Sequence, residues 1–155
     1  MEYYRILNLV REPFSNSPEP DFFYESRHHL DCLQKLEVAL RLRRGLNVVI
    51  GQVGAGKTTL SRQLIRKLSG DPAVRTYLLL DPHFSTEMEF LTFVTGLFGI
   101  ETGEGEEPSA WKLREGIKKF LFEKAVEENK LIVLIIDEGQ KIPDFALESL
   151  REFLN

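Results

Sequence analysis

The octapeptide Gly51-Gln52-Val53-Gly54-Ala55-Gly56-Lys57-Thr58 has the spacing of a Walker A phosphate loop, and that spacing dictates what must flank it. Such a loop joins the carboxyl end of a strand to the amino end of a helix. Its glycines let successive backbone N–H groups turn inward around a phosphate, and the helix N-terminus adds a favourable partial charge. The flanks match. Leu46-Asn47-Val48-Val49-Ile50 is a β-rich run that predicts a strand, and Leu60, Leu64, Ile65 and Leu68 carry helical spacing that predicts a helix over 57–68. At typical residue frequencies this pattern arises by chance about once in 200 chains of such length. The competing interpretation is a glycine turn between a strand and a helix with no ligand.

In a loop of this type each side chain has a separate task. Lys57 reaches the β- and γ-phosphates, Thr58 places its hydroxyl on Mg²⁺, and Thr59 bonds a further phosphate oxygen. Gly51, Gln52, Val53, Gly54, Ala55 and Gly56 supply the backbone cradle. The expected ligands are therefore a nucleoside triphosphate, ATP, and Mg²⁺.

A second constellation lies some eighty positions later. Leu131-Ile132-Val133-Leu134-Ile135-Ile136 is the most hydrophobic run in the chain and ends in Asp137 and Glu138. It predicts a strand buried on both faces and matches the Walker B pattern. Acids that simply end a strand in water are the plain alternative. Paired with a Walker A, Asp137 suits the Mg²⁺ shell and Glu138 suits orientation or deprotonation of an attacking water. Glu138 and Lys57 are the expected catalytic residues. The second acid favours an ATPase over a phosphotransferase, which has no use for it.

The rest of the chain alternates in the same way. Residues 1–25 carry Pro13, Pro18 and Pro20 among Phe14, Phe22 and Phe23, which predicts an extended aromatic and proline arm. Residues 26–155 form the expected nucleotide-binding core. Ser26 offers an N-cap to a helix over 27–44 that Gly45 would stop. Arg75 to Leu80 predicts a strand broken by Asp81-Pro82, and 86–99 predicts a helix. Residues 101–108 predict a solvated acidic loop. Ser109 caps an amphipathic helix through Trp111, Ile117, Leu121 and Val126, and a last helix covers about 144–154. Strands alternating with helices imply an open parallel α/β sheet, with ligand sites beyond the carboxyl ends of its strands.

Composition excludes several other classes. The chain has 155 residues, 43% hydrophobic and 28% charged, enough for one domain with a core of its own. Its single cysteine, Cys32, cannot form an internal disulfide, which fits a reducing compartment. A signal pattern and an apolar run long enough for a bilayer are both missing, so a soluble cytoplasmic chain is expected. A net charge of −4 gives no general attraction to nucleic acid. His28, His29 and His83 lack metal-ligand spacing and suit structural or surface roles. Arg41, Arg43, Arg44, Arg62, Arg66 and Lys67 suit a solvated helix face better than a basic patch, and Trp111 suits a core or edge position.

The residues resemble a known family: the ATPase A proteins of the bacterial general (type II) secretion pathway, with related pilus-biogenesis and transposition-helper ATPases. Tyr3 to Leu9, Glu12-Pro13-Phe14 and Pro20-Asp21-Phe22-Phe23-Tyr24 look like the family's N-terminal signature. Gly51 through Arg62 and Ile136-Asp137-Glu138-Gly139-Gln140 look like its two nucleotide motifs, with Gly139 where the family carries alanine. Leu147 to Asn155 looks like the helix that follows.

The resemblance implies an AAA+ type P-loop ATPase, cytoplasmic and tethered to the inner membrane by a segment outside these residues. It would act with protein partners of a membrane-associated complex that assembles the secretion pore. A homo-oligomer is among the expected partners, and nucleic acid is not. Set against the family, the chain stops before a strand carrying a polar sensor residue, and before the helical lid and arginine finger. An incomplete domain with weak hydrolysis is expected from that. Two other functions share the core: a transposition-helper or other DNA-linked AAA+ ATPase, which should show salt-dependent DNA binding, and a non-hydrolysing nucleotide-gated interaction module.

Overall fold

Two six-residue segments find each other across 57 positions of chain and build the sheet. β1 (Val74–Leu79) and β2 (Leu131–Ile136) pair in parallel, with Val74 opposite Leu131 and Leu79 opposite Ile136. The computed structural model describes residues 3–10, 26–101, 103 and 108–154. Among them the helices are α1 (Tyr3–Ile6), α2 (Arg27–Arg41), α3 (Lys57–Leu68), α4 (Glu87–Phe98), α5 (Ala110–Phe122) and α6 (Asp144–Phe153). A π-helical turn, Glu123–Glu127, extends α5, and a 3-10 turn, Gly139–Lys141, follows β2.

Alternation along the strands divides the core in two, because successive side chains leave opposite faces of the sheet. Tyr77, Leu79, Leu134 and Ile136 join Phe90, Leu91, Val94 and Phe98 of α4, Leu113 and Ile117 of α5, and Ala146 of α6. Val74, Leu131, Val133 and Ile135 join Leu33 of α2 and Leu60, Leu64 and Leu68 of α3. The result is three layers, helices on both faces of a small parallel sheet, as the sequence predicts. Edge-on packing of Tyr77 against Phe98, 4.7 Å between ring centroids, and stacking of Phe98 on Phe120 at 5.1 Å lock the first face.

Local signals set most boundaries. The hydroxyls of Ser26, Thr86 and Ser109 accept the N–H groups of His29, Glu89 and Lys112 and start α2, α4 and α5. Gly99, at φ +68°, ends α4.

Five expectations fail or narrow. Residues 46–50 are not a strand: they form no ladder, and Val48 and Ile50 are 71% and 92% exposed. A β-rich run becomes a strand only where a neighbour offers backbone partners, and this one lies beside α2 instead, across a groove lined by Leu36, Ala39, Asn47 and Val49. For the same reason β2 is buried throughout only at Val133. α2 ends at Arg41 and not 44, because Arg43 takes a left-handed φ of 52° and its guanidinium donates to Asn129 Oδ1 at 2.8 Å. Trp111, expected at a core or edge position, is 68% exposed and belongs to neither core cluster, which leaves the edge. The segment Tyr3–Ile6 is a helical turn where extended chain was expected. The remainder of the arm, 11–25, and most of the acidic stretch 101–108 lie outside the described residues.

Candidate functional site

α3 runs back against the sheet. It ends at Leu68, a turn closed by the Asp71 N–H on Leu68 O and the Val74 N–H on Asp71 O follows, and β1 sets off in the opposite sense. The N-terminus of α3 therefore lies toward the carboxyl ends of β1 and β2, where a parallel α/β sheet presents ligand sites.

The glycine loop leads directly into that helix end. Gly54 and Gly56 hold φ of +78° and +80°, the left-handed region that a Cβ disfavours, and the Ala55 N–H closes a turn on Gln52 O at 3.2 Å. Gly56 caps α3 by its backbone: its carbonyl accepts the first helical bond, from Leu60 N–H, at 2.8 Å. A side-chain cap and acidic residues in the first turn are both absent from α3. The N–H groups of Lys57, Thr58 and Thr59 belong to that first turn, whose donors have no partner within the helix. Lys57 curls back over the loop, where its ammonium donates to Gly51 O at 2.9 Å and Gln52 O at 2.8 Å. Backbone donors, a positive helix end without a side-chain cap and an ammonium held over the loop are the chemistry a polyphosphate requires, so the residues fit that group.

Asp137 and Glu138 sit at the carboxyl end of β2. The Asp137 N–H donates to Leu79 O at 2.8 Å and carries the parallel ladder one residue beyond the strand. Asp137 is half-buried and Glu138 exposed. Glu138 takes a left-handed φ of 55°, its N–H donates to Asp137 Oδ1 at 3.1 Å, and the Gln140 amide donates to its carboxylate. Topology puts these acids and the loop at the same end of the sheet. Among the described residues no hydrogen bond or ion pair joins them. No group of three or more His, Cys, Asp or Glu among the described residues suits a metal of its own. Mg²⁺ in a phosphate site needs only one or two protein oxygens beside the substrate's, so Thr58 and Asp137 suffice in number.

Two residues that sequence reasoning passed over belong to the surroundings. Asp81, just past β1, pairs at 3.4 Å with Lys141 of the turn that follows the β2 acids. His29 of α2 reaches the loop itself, with Nε2 3.0 Å from Ala55 O. A strand-end acid next to Pro82 was a legible signal for the first, whereas nothing in local spacing marked the second. Of the basic residues on α2 and α3, Arg41 pairs with Glu37 and Asp71, and Lys67 pairs with Glu37.

Comparison with known proteins agrees with the geometry. The chain is similar to a general secretion pathway protein A from Aeromonas hydrophila, 29% identical over 153 residues, which is 99% of this chain and 27% of that relative's length. No solved structure matches significantly. Among the described residues no helix is long and apolar enough to cross a membrane. The family model described as an AAA domain matches residues 40–155, from the end of α2 through α6 and including both the glycine loop and the β2 acids, and the chain belongs to that family.

Proposed function

We propose that this chain binds ATP through Gly51 to Thr59 and hydrolyses it, as the nucleotide-binding part of an assembly ATPase for a bacterial secretion pore. What carries the reading is the placement of the loop on the N-terminus of α3, which has no side-chain cap, with Lys57 folded across it. Membership of the AAA family supports an ATPase, and the likeness to a general secretion pathway protein supports the cellular setting.

In this reading the first-turn N–H groups of α3 and the loop glycines hold phosphate oxygens. Lys57 exchanges its two backbone acceptors for the β- and γ-phosphates. Thr58 and Asp137 hold Mg²⁺, which when bound neutralises charge across those phosphates. Glu138 orients and deprotonates the attacking water, and the Gln140 amide fixes the carboxylate that does so. The net charge of −4 offers no general attraction to a nucleic acid, which favours protein partners in the complex.

The test is equilibrium titration with a fluorescent ATP analogue in Mg²⁺, with phosphate release measured in parallel. Saturable binding that Lys57→Ala abolishes, and turnover that Glu138→Gln abolishes while binding survives, are the expected results. Binding indifferent to Lys57 would sink the nucleotide reading. Unchanged turnover in Glu138→Gln would remove Glu138 from the reaction, and binding without turnover in the wild-type chain would reduce it to a nucleotide-gated module.

A further inference from the structure

The imidazole of His29 stands 26 residues ahead of Ala55 in sequence yet touches its carbonyl oxygen, Nε2 to O 3.0 Å. A carbonyl oxygen only accepts, so Nε2 is the donor, and in the neutral ring Nδ1 is then an acceptor. Its partner is in place: Ser26 Oγ lies 2.7 Å from Nδ1. The same hydroxyl oxygen accepts the His29 N–H and so caps α2. The ring is thus fixed at both nitrogens, by the helix cap on one side and by the glycine loop on the other. α2 is a firm base for it, since Leu33, one turn further on, is buried with Leu60 and Leu64 of α3.

The consequence for the loop follows from the geometry of a peptide bond. In a planar trans peptide the C=O of one residue and the N–H of the next point in opposite directions. Holding Ala55 O against α2 therefore aims the Gly56 N–H away from α2. A flip of this unit turns ψ of Ala55 and φ of Gly56, and glycine, here at positive φ, resists such rotation less than a residue with a Cβ. A Cβ built on Gly56 would lie 3.5 Å from His29 Nε2, so the ring also stands against the loop at Gly56.

We propose that His29 is a positioning residue for phosphate recognition: by holding the Ala55 carbonyl it keeps the Gly56 N–H turned toward the phosphate position, and so links the conformation of the loop to the N-terminus of α2. The proposal rests on the nucleotide-binding reading of the loop. It gives a function to the cap at Ser26 that helix stability alone does not require.

The experiment compares wild type, His29→Phe, His29→Gln and Lys57→Ala for binding of MgATP and MgADP, alongside melting temperature. Phenylalanine keeps the ring and removes the donor, and should weaken both nucleotides roughly 3–10-fold, the range of one hydrogen bond. Its melting temperature should stay close to wild type. Glutamine, which can present an amide N–H near the Nε2 position, should recover most of the affinity. Nitrogen-15 NMR of the wild-type histidines supplies a measurement that needs no variant: His29 should be held as the Nε2–H tautomer. A mixture of tautomers in rapid exchange would overturn the proposal, as would affinity in His29→Phe equal to wild type. Binding lost in Lys57→Ala but kept in His29→Phe overturns this inference alone. Absence of binding by the wild-type chain overturns it together with the nucleotide reading.

Discussion

The ammonium of Lys57 donates to the carbonyl of Gln52 at 2.8 Å, five residues back along its own loop, and to Gly51 O at 2.9 Å. These bonds are exposed, so each contributes little to folding, and phosphate oxygens compete with them on favourable terms. Lys57→Ala is expected to lower MgATP affinity roughly tenfold or more, the loss of a charge-assisted hydrogen bond, with only a small change in melting temperature. Titration with a fluorescent analogue reads the first and thermal denaturation the second. Normal affinity in Lys57→Ala would be incompatible with the proposed site.

The β2 acids should divide binding from turnover. Glu138→Gln preserves size and hydrogen bonding but cannot take a proton, so phosphate release should fall about 100-fold or more while nucleotide affinity stays near wild type. Asp137→Asn should instead weaken the Mg²⁺ dependence of binding. If both variants lost the same property to the same degree, the separate roles assigned to the two acids would be wrong.

The loop glycines are not equivalent. Gly54 and Gly56 have positive φ, whereas Gly51 does not, and a Cβ on Gly51 would make only ordinary contacts, 3.6 Å to Ala55 Cβ. Gly54→Ala and Gly56→Ala should each cost about 1–2 kcal/mol of stability through backbone strain. Gly51→Ala should cost much less. Urea denaturation of the three variants would expose an error in this ranking directly.

Acid sensitivity should come from surface pairs. The carboxyl of Glu128 is held down at about 2 by hydrogen bonds from Lys124 and then Lys130, and Glu152 is lowered by Lys118 first and Arg114 after it. A lowered carboxylate stabilises the fold fully above its ordinary value of 4.5 and loses that contribution as pH falls through the folded value. Lys118 is raised by Glu152, so its share holds below its ordinary 10.5 and disappears only as pH rises past the folded value. Stability should therefore decline between about pH 4.5 and 2, and replacing Lys124 and Lys130 with Met should flatten that decline. Because the groups are exposed, 1 M salt should remove most of the effect. A decline indifferent to both salt and these lysines would point to buried carboxyls instead.

Much of the site was legible because it is local. Gly51 to Thr58 encodes its own turn, since glycine alone tolerates the φ at 54 and 56, and the helix after it follows from the spacing of Leu60, Leu64 and Leu68. Caps at Ser26 and Ser109 were readable for the same reason, each requiring one hydroxyl three residues from one N–H. The strand at 131–136 announced itself by its apolar run, and that expected over 75–80 is shifted by one residue, to 74–79.

What sequence alone determined, then, is where the phosphate loop lies, which helix it starts, and which strand ends in the acids. Tertiary structure decided the rest. Gly45 looked like the stop for α2, but Arg43 ends it, because Asn129, far along the chain, holds the guanidinium of a left-handed arginine. Leu46 to Ile50 had the composition of a strand and became none, since hydrogen bonding of a strand depends on a partner that composition does not supply. The contact of His29 with Ala55 was equally invisible, for it depends on how α2 is laid against α3. Local chemistry fixes turns and caps, whereas pairing and docking depend on residues distant in sequence that only the folded chain brings together.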